Sequence, residues 1–374
     1  VIWGFEVLGE RQGSWFVDGT EFLIRDAHSI SQRLANIEEG TFTSDASRSA
    51  IYMPMTKSFP DNSEMEAIVT FTGQATGRYL SSVIPDRQTV SVHLHHSFIR
   101  LPDDGYEPVP LDPRSGFFGR TFQDYATPVG ESLRVSYAAR HRLEKVNPMA
   151  ETSDAVEPII YYVDRGAPEP IRTALIEGAE WWNQAFEAAG YRNAFQVELL
   201  PASADPMDVR YNIIQWVHRA TRGWSYGSSI ADPRTGEIMK GKVTLGSLRV
   251  RQDYLIAEGL LAPYDDEEKP DVMLDMALAR IRQLSAHEVG HTLGIQHNMA
   301  ASTQGRASVM DYPHPLIRID DDGNIDLSDA YDDGIGEWDE RVVLWGYQDF
   351  LEGVDRQAAR DQIIFRNQPG GTRL

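Results

Sequence analysis

The sequence predicts a mixed α/β (α+β) architecture, with a β-rich N-terminal part ahead of a domain built on a mixed sheet and a long, late helix. Three observations carry this. Segments rich in β-branched and aromatic residues dominate the first 150 positions. A polar stretch with two prolines, Lys145–Pro158, follows and reads as a linker. Beyond it, strand patterns alternate with helical ones. The expected domains are therefore 1–150 and 155–374.

In the first part, strands are expected over Val1–Leu8, Ser14–Ile24, Ala50–Met55, Glu66–Thr72 and Thr89–Ile99, with one helix near His28–Glu38. His93 and His95 alternate with Val92 and Leu94, so they share a polar strand face rather than form a metal site. In the second part, Ile159–Val163 is a short buried strand. Ile171–Ala189 has helical spacing through Ile171, Ala174, Leu175, Gly178, Trp182 and Phe186, and Gly190 closes it. Strands follow over Phe195–Leu200, Val209–Val217, Tyr226–Ala231 and Glu237–Leu245. The last two flank the turn Asp232-Pro233-Arg234-Thr235-Gly236. A long helix starts near Asp271 and reaches Leu293, and another lies near Glu337–Leu351. Between them, Asp320–Glu340 carries ten acidic residues and no basic one. Gly323 sits too early for a calcium loop of the EF-hand kind, and no glutamate closes it, so a solvated acidic loop is expected.

Composition narrows the function. Among 374 residues, 35 Lys+Arg stand against 56 Asp+Glu, giving a net charge of −21. So acidic a surface repels phosphate backbones and argues against nucleic acid as a partner. No window approaches the ~18 consecutive apolar residues of a membrane span. Cysteine is absent, so any metal must be held by His, Asp or Glu. No basic, apolar leader opens the chain, which reads as a mature or trimmed chain; export to the periplasm or beyond is the expected location.

Residues 287–297 read His-Glu-Val-Gly-His-Thr-Leu-Gly-Ile-Gln-His. His287 and His291 are four apart, so on a helix they leave one face together and can share a metal ion. Glu288 lies beside them, able to act on a water without ligating the metal. Gly294 can end the helix in a left-handed conformation, and the turn it permits can return His297 as a third ligand. Three imidazoles leave a fourth tetrahedral position open, the arrangement of a catalytic zinc site. In a shuffled chain of this composition, HExxH alone arises about 2 times in 100, and the full pattern with Gly and the third His roughly 4 times in 100,000. The stripe Leu274, Ala277, Leu278, Ile281, Leu284 continues by helical steps into His287, Glu288 and His291, so the core-facing side turns polar only at its last turn.

HEVGHTLGIQH resembles the metzincin signature HExxHxxGxxH, and Ser308-Val309-Met310-Asp311-Tyr312 is similar to the methionine turn of that clan. The stretches WWNQAFEAAG, DVRYNIIQWVHR, GWSYGSSIADPRTGEI and GRASVMDYP resemble large bacterial zinc-dependent metalloproteases with a β-rich domain before the catalytic one. The resemblance spans about 159–350 and implies a metzincin-like peptidase domain with an active-site helix. It implies that Met310 forms an apolar base beneath the histidines, and that Tyr312 stands where some of these families carry a tyrosine on the metal or the oxyanion. For Tyr312 a catalytic and a packing role both stay open. The edge strand in such domains implies that Tyr226, Gly227, Ser228, Ser229 and Ile230 line an extended peptide. The expected activity is a zinc-dependent metalloendopeptidase acting on peptides or proteins, with Zn²⁺ on His287, His291 and His297 and Glu288 as general base. The alternatives are a peptide-binding protein with a vestigial site and a zinc hydrolase of non-peptide amides.

Overall fold

A computed structural model describes residues 3–219, 224–262 and 270–365. Contacts divide the chain into two compact units, one of residues 1–100 with 207–209 and one of 101–206 with 210–374.

The first unit is built on three long antiparallel strands, β1 (Gly40–Ile51), β2 (Asn62–Ala75) and β3 (Thr89–Ile99), with β2 in the middle. Ala67, Val69 and Phe71 alternate along β2 and are fully buried, as a strand with one core face requires. His93 and His95 project from β3 toward Glu66 of β2, with Nδ1–carboxylate distances of 2.6 and 3.1 Å. The strand expected over Ser14–Ile24 stops at Asp18. The Asp18 carboxylate accepts the Thr20 N–H at 2.8 Å and starts a short helix, Thr20–Leu23, in its place. The strand expected through Met55 likewise ends at Ile51, before a 3₁₀ turn with Pro54 near its start.

The second unit is organised by a five-stranded mixed sheet. Its strands are β4 (Ile159–Val163), β5 (Phe195–Leu199), β6 (Asn212–Val217), β7 (Tyr226–Ala231) and β8 (Ile238–Gly246), in spatial order β5-β4-β6-β8-β7. All pair in parallel except β7, an antiparallel strand at the edge. The helix expected over Ile171–Ala189 is two segments, α1 (Ile171–Glu180) and α2 (Trp182–Ala188), parted at Trp181. Helix α3 (Leu248–Leu261) has no counterpart in the sequence reading, because only Asp253, Ala257 and Leu261 along it are buried and no apolar stripe marks it. Then come the long helix α4 (Pro270–Thr292) and α5 (Glu337–Tyr347). Ala277, Ile281, Ala286 and Val289 of α4 are fully buried, and the Trp182 indole N–H donates to the Ala286 carbonyl at 2.7 Å, clamping α4 to α2.

The composition break at 145–158 lies inside this second unit, because residues 101–144 belong to it by their contacts. Phe117 pairs with Ile295 in a short antiparallel bridge, and the Phe118 N–H donates to the Gly294 carbonyl at 2.7 Å. No described helix is long and apolar enough to cross a membrane.

Candidate metal centre

Helix α4 delivers His287, Glu288 and His291 on its last two turns, all buried at 2, 5 and 9% exposure. The helix must then reverse sharply. Gly294 does this at φ +96°, and a Cβ there would stand 1.8 Å from the Ala139 carbonyl oxygen, so only glycine fits. The carbonyls left open at the helix end are capped. His141 Nε2 lies 3.2 Å from the Thr292 oxygen, and the Tyr347 hydroxyl donates to the Leu293 oxygen at 2.8 Å.

The reversal brings His297 back to the other two histidines. One nitrogen from each of His287, His291 and His297 lies within 4.8 Å of the others, and His291 Nε2 is 3.0 Å from His297 Nε2. Tetrahedral zinc with Zn–N bonds of about 2.0–2.1 Å needs nitrogens roughly 3.3 Å apart, so the cluster fits that ion. Second partners orient the rings. The Nδ1 atoms of His287 and His291 lie 2.8 Å from the carbonyl oxygens of Val309 and Ile295. Donating Nδ1–H there turns each Nε2 lone pair toward the cluster. Burial holds His287 down to about 3, with the neighbouring His291 adding to it, and burial holds His291 down to about 4. Both rings are thus neutral at physiological pH, as ligation requires.

Glu288 is pushed up to about 7 by burial, against the opposing pull of the Gly227 N–H and the Arg280 charge. A carboxyl poised there can take and return protons near neutrality. Gly227 lies on β7, where a Cβ would fall 2.1 Å from the Glu288 backbone oxygen and 3.0 Å from His291 Cβ. Glycine at this position lets the edge strand run directly against the histidine-bearing end of α4. Exposure alternates along β7, and the outward carbonyl of Ser229 accepts from Arg120 Nη2 at 3.4 Å.

Met310 is fully buried, beside Gly290 on α4. Its carbonyl accepts the Asn298 N–H at 3.0 Å, tying this turn to the loop that carries His297. The Tyr312 hydroxyl stands 2.9 Å from His297 Nε2, and its ring stacks on His287 with centroids 5.3 Å apart. Tyr312 therefore faces the histidine cluster rather than a packed core.

Two features went unread in the sequence. Asp339 of α5 is fully buried and accepts from Val309 N at 2.8 Å, Gly336 N at 2.8 Å and the Ser308 hydroxyl at 2.6 Å, so it holds the Met310 turn in place. Arg280 lies on α4 two turns before Glu288 and lines the same cavity. Stepping back by four from Glu288 gives Leu284 and then Arg280. An arginine in an otherwise apolar stripe was the available signal. Among the described residues, the acidic segment after Asp320 forms no metal-type cluster, and its turn is exposed. Trp181, Trp182 and Trp216 are core, whereas Trp224 is exposed at the cavity rim.

Residues 269–369 match a family model described as Met-zincin, and residues 1–146 match one described as a domain of unknown function. No curated protein matches the chain. The Met-zincin match covers the three histidines and supports a metzincin-type domain there. With the histidine cluster, it suggests a zinc metalloprotease.

Proposed function

We propose that the protein is a zinc-dependent metalloendopeptidase in which His287, His291 and His297 hold zinc. The observation that carries this reading is the convergence of three oriented imidazoles, within 4.8 Å, beside the buried carboxyl of Glu288. When bound, zinc supplies Lewis acidity toward a peptide carbonyl and toward water. Glu288 takes a proton from the attacking water and hands it to the departing amine, a role that suits a carboxyl raised to about 7. The Tyr312 hydroxyl donates a hydrogen bond to the oxygen on which negative charge develops. Cleavage of denatured casein by zinc-loaded protein, lost on chelation, tests the activity. Hydrolysis of simple amides without cleavage of casein would favour a non-peptide substrate instead.

If Tyr312 acts in the transition state, Tyr312→Phe lowers kcat by about 10-fold or more with little change in KM. An unchanged kcat/KM in steady-state assays would leave Tyr312 as a wall of the site.

The substrate lies extended along Tyr226, Gly227, Ser228, Ser229 and Ile230 of β7, pairing its backbone with the outer side of this edge strand. Because β7 is antiparallel to β8 and passes against α4 at Gly227, a strand added there runs past Glu288. The Arg120 contact at the Ser229 oxygen must give way or bridge to the peptide. Ser229→Pro removes an edge donor and is expected to raise KM several-fold with zinc still bound. Wild-type cleavage by a folded, metal-loaded variant would place the substrate elsewhere.

A further inference from the structure

The cavity that opens onto Glu288 and Tyr312 has a volume of about 390 Å³. That falls within the ~300–1,000 Å³ of small-ligand sites. In a chain of net charge −21, its wall carries three arginines, Arg219, Arg249 and Arg280. Arg249 is already neutralised, gripping the fully buried Asp253 with two hydrogen bonds of 2.8 and 2.5 Å.

Arg280 is not. It is only 7% exposed, yet its Nε has no hydrogen-bond partner. Its side-chain acceptor is the neutral amide oxygen of Gln283, and its guanidinium lies 5.6 Å from the Tyr331 ring centroid. Among the described residues, no carboxylate forms an ion pair with it. Burying a guanidinium is costly unless its donors find partners, and Arg280 borders the cavity, from which an acceptor can approach it. Among the described residues Arg219 is the second cation without a carboxylate, held by the Trp224 carbonyl at 2.8 Å and set 5.7 Å from the Tyr226 ring centroid.

We infer that this cavity is a substrate subsite for a carboxylate, seated on Arg280 with Arg219 as the second cation. The inference rests on the peptidase reading, since Glu288 and Tyr312 line the same space and a group bound there lies next to the scissile bond. The planar guanidinium fork matches a carboxylate with paired donors, and Ser225, Ser247 and Gln252 on the same wall offer further polar contacts. The carboxylate can come from an aspartate or glutamate side chain or from the C-terminus of a peptide.

Matched peptides carrying Glu or Gln at each position around the cleaved bond, each with a free or amidated C-terminus, test this. Wild-type protein is expected to favour the carboxylate by about 10- to 100-fold in kcat/KM, the range of a charged hydrogen-bonded pair. A Glu preference that survives amidation identifies a side chain, and a preference lost on amidation identifies the C-terminus. In Arg280→Met the Glu/Gln or free/amidated ratio falls to within about two-fold of unity. Each ratio is taken within a single variant, so changes at Glu288 cancel. If Arg280→Met does not fold, Arg219→Ala serves instead, with a partial fall expected. Fluorescence anisotropy with Glu288→Ala and uncleaved peptides should show the same preference in Kd. Cleavage without any carboxylate preference overturns the subsite and leaves the peptidase reading standing. If no peptide is cleaved, the peptidase reading fails, and the anisotropy ratio alone then supports or overturns the subsite.

Discussion

Glu288→Ala is expected to retain one zinc ion per chain and to lose about 10²–10⁴-fold in kcat, the usual cost of removing a general base. The two halves of this outcome separate a proton carrier from a ligand. The orienting contacts of His287 and His291 run to the Val309 and Ile295 carbonyls, not to Glu288, so the histidine cluster keeps its geometry without that carboxyl. Metal analysis of the purified variant beside single-turnover cleavage checks both halves. Retained turnover would remove Glu288 from the mechanism, and loss of zinc would make it a residue that orders the site.

Asp339→Ala is expected to be the most damaging substitution outside the cluster. It strands two buried N–H donors, Val309 and Gly336, at roughly 1–3 kcal/mol each, and leaves a void where the carboxyl was. The same turn presents the Val309 carbonyl to His287 Nδ1, so zinc affinity should fall with stability. Loss of orienting partners of this kind typically weakens metal binding by about 10–100-fold. Chemical denaturation and competitive zinc titration measure the two effects. Asp339→Asn, with its amide oxygen in the Oδ2 position, keeps the acceptor for both N–H donors and alters only the Oδ1 contact with Ser308, so it should fall between alanine and the wild type. A stable alanine variant with unaltered zinc affinity would show that the turn holds itself.

The metal centre was legible because its chemistry is local. His287, Glu288 and His291 occupy one helix face by spacing alone, and Gly294 signals the reversal that returns His297. The sheet was legible for the same reason. Tyr226–Ala231 reads as a strand from six consecutive residues and takes its place at the antiparallel edge. What supports the site is not local. His141 caps Thr292 from 151 positions away, and Asp339 holds Val309 from 30. Neither residue has a spacing to its partner that periodicity could reveal. Residues 101–144 illustrate the same limit, since their composition resembles the preceding strands while their contacts lie with the second unit, Phe117 at Ile295 and Arg140 at Glu237. Helix α3 escaped because so few of its side chains are buried, leaving too faint a stripe to recognise.

The most direct test of the central claim is hydrolysis of an unstructured peptide in water enriched in ¹⁸O, with mass spectrometry of the products. Zinc-loaded protein should generate new termini with one ¹⁸O in each new C-terminal carboxyl at early time points, and neither chelated protein nor the Glu288→Ala variant should do so. Intact peptide after incubation with protein shown to hold one zinc per chain on His287, His291 and His297 would contradict the assignment of a metallopeptidase.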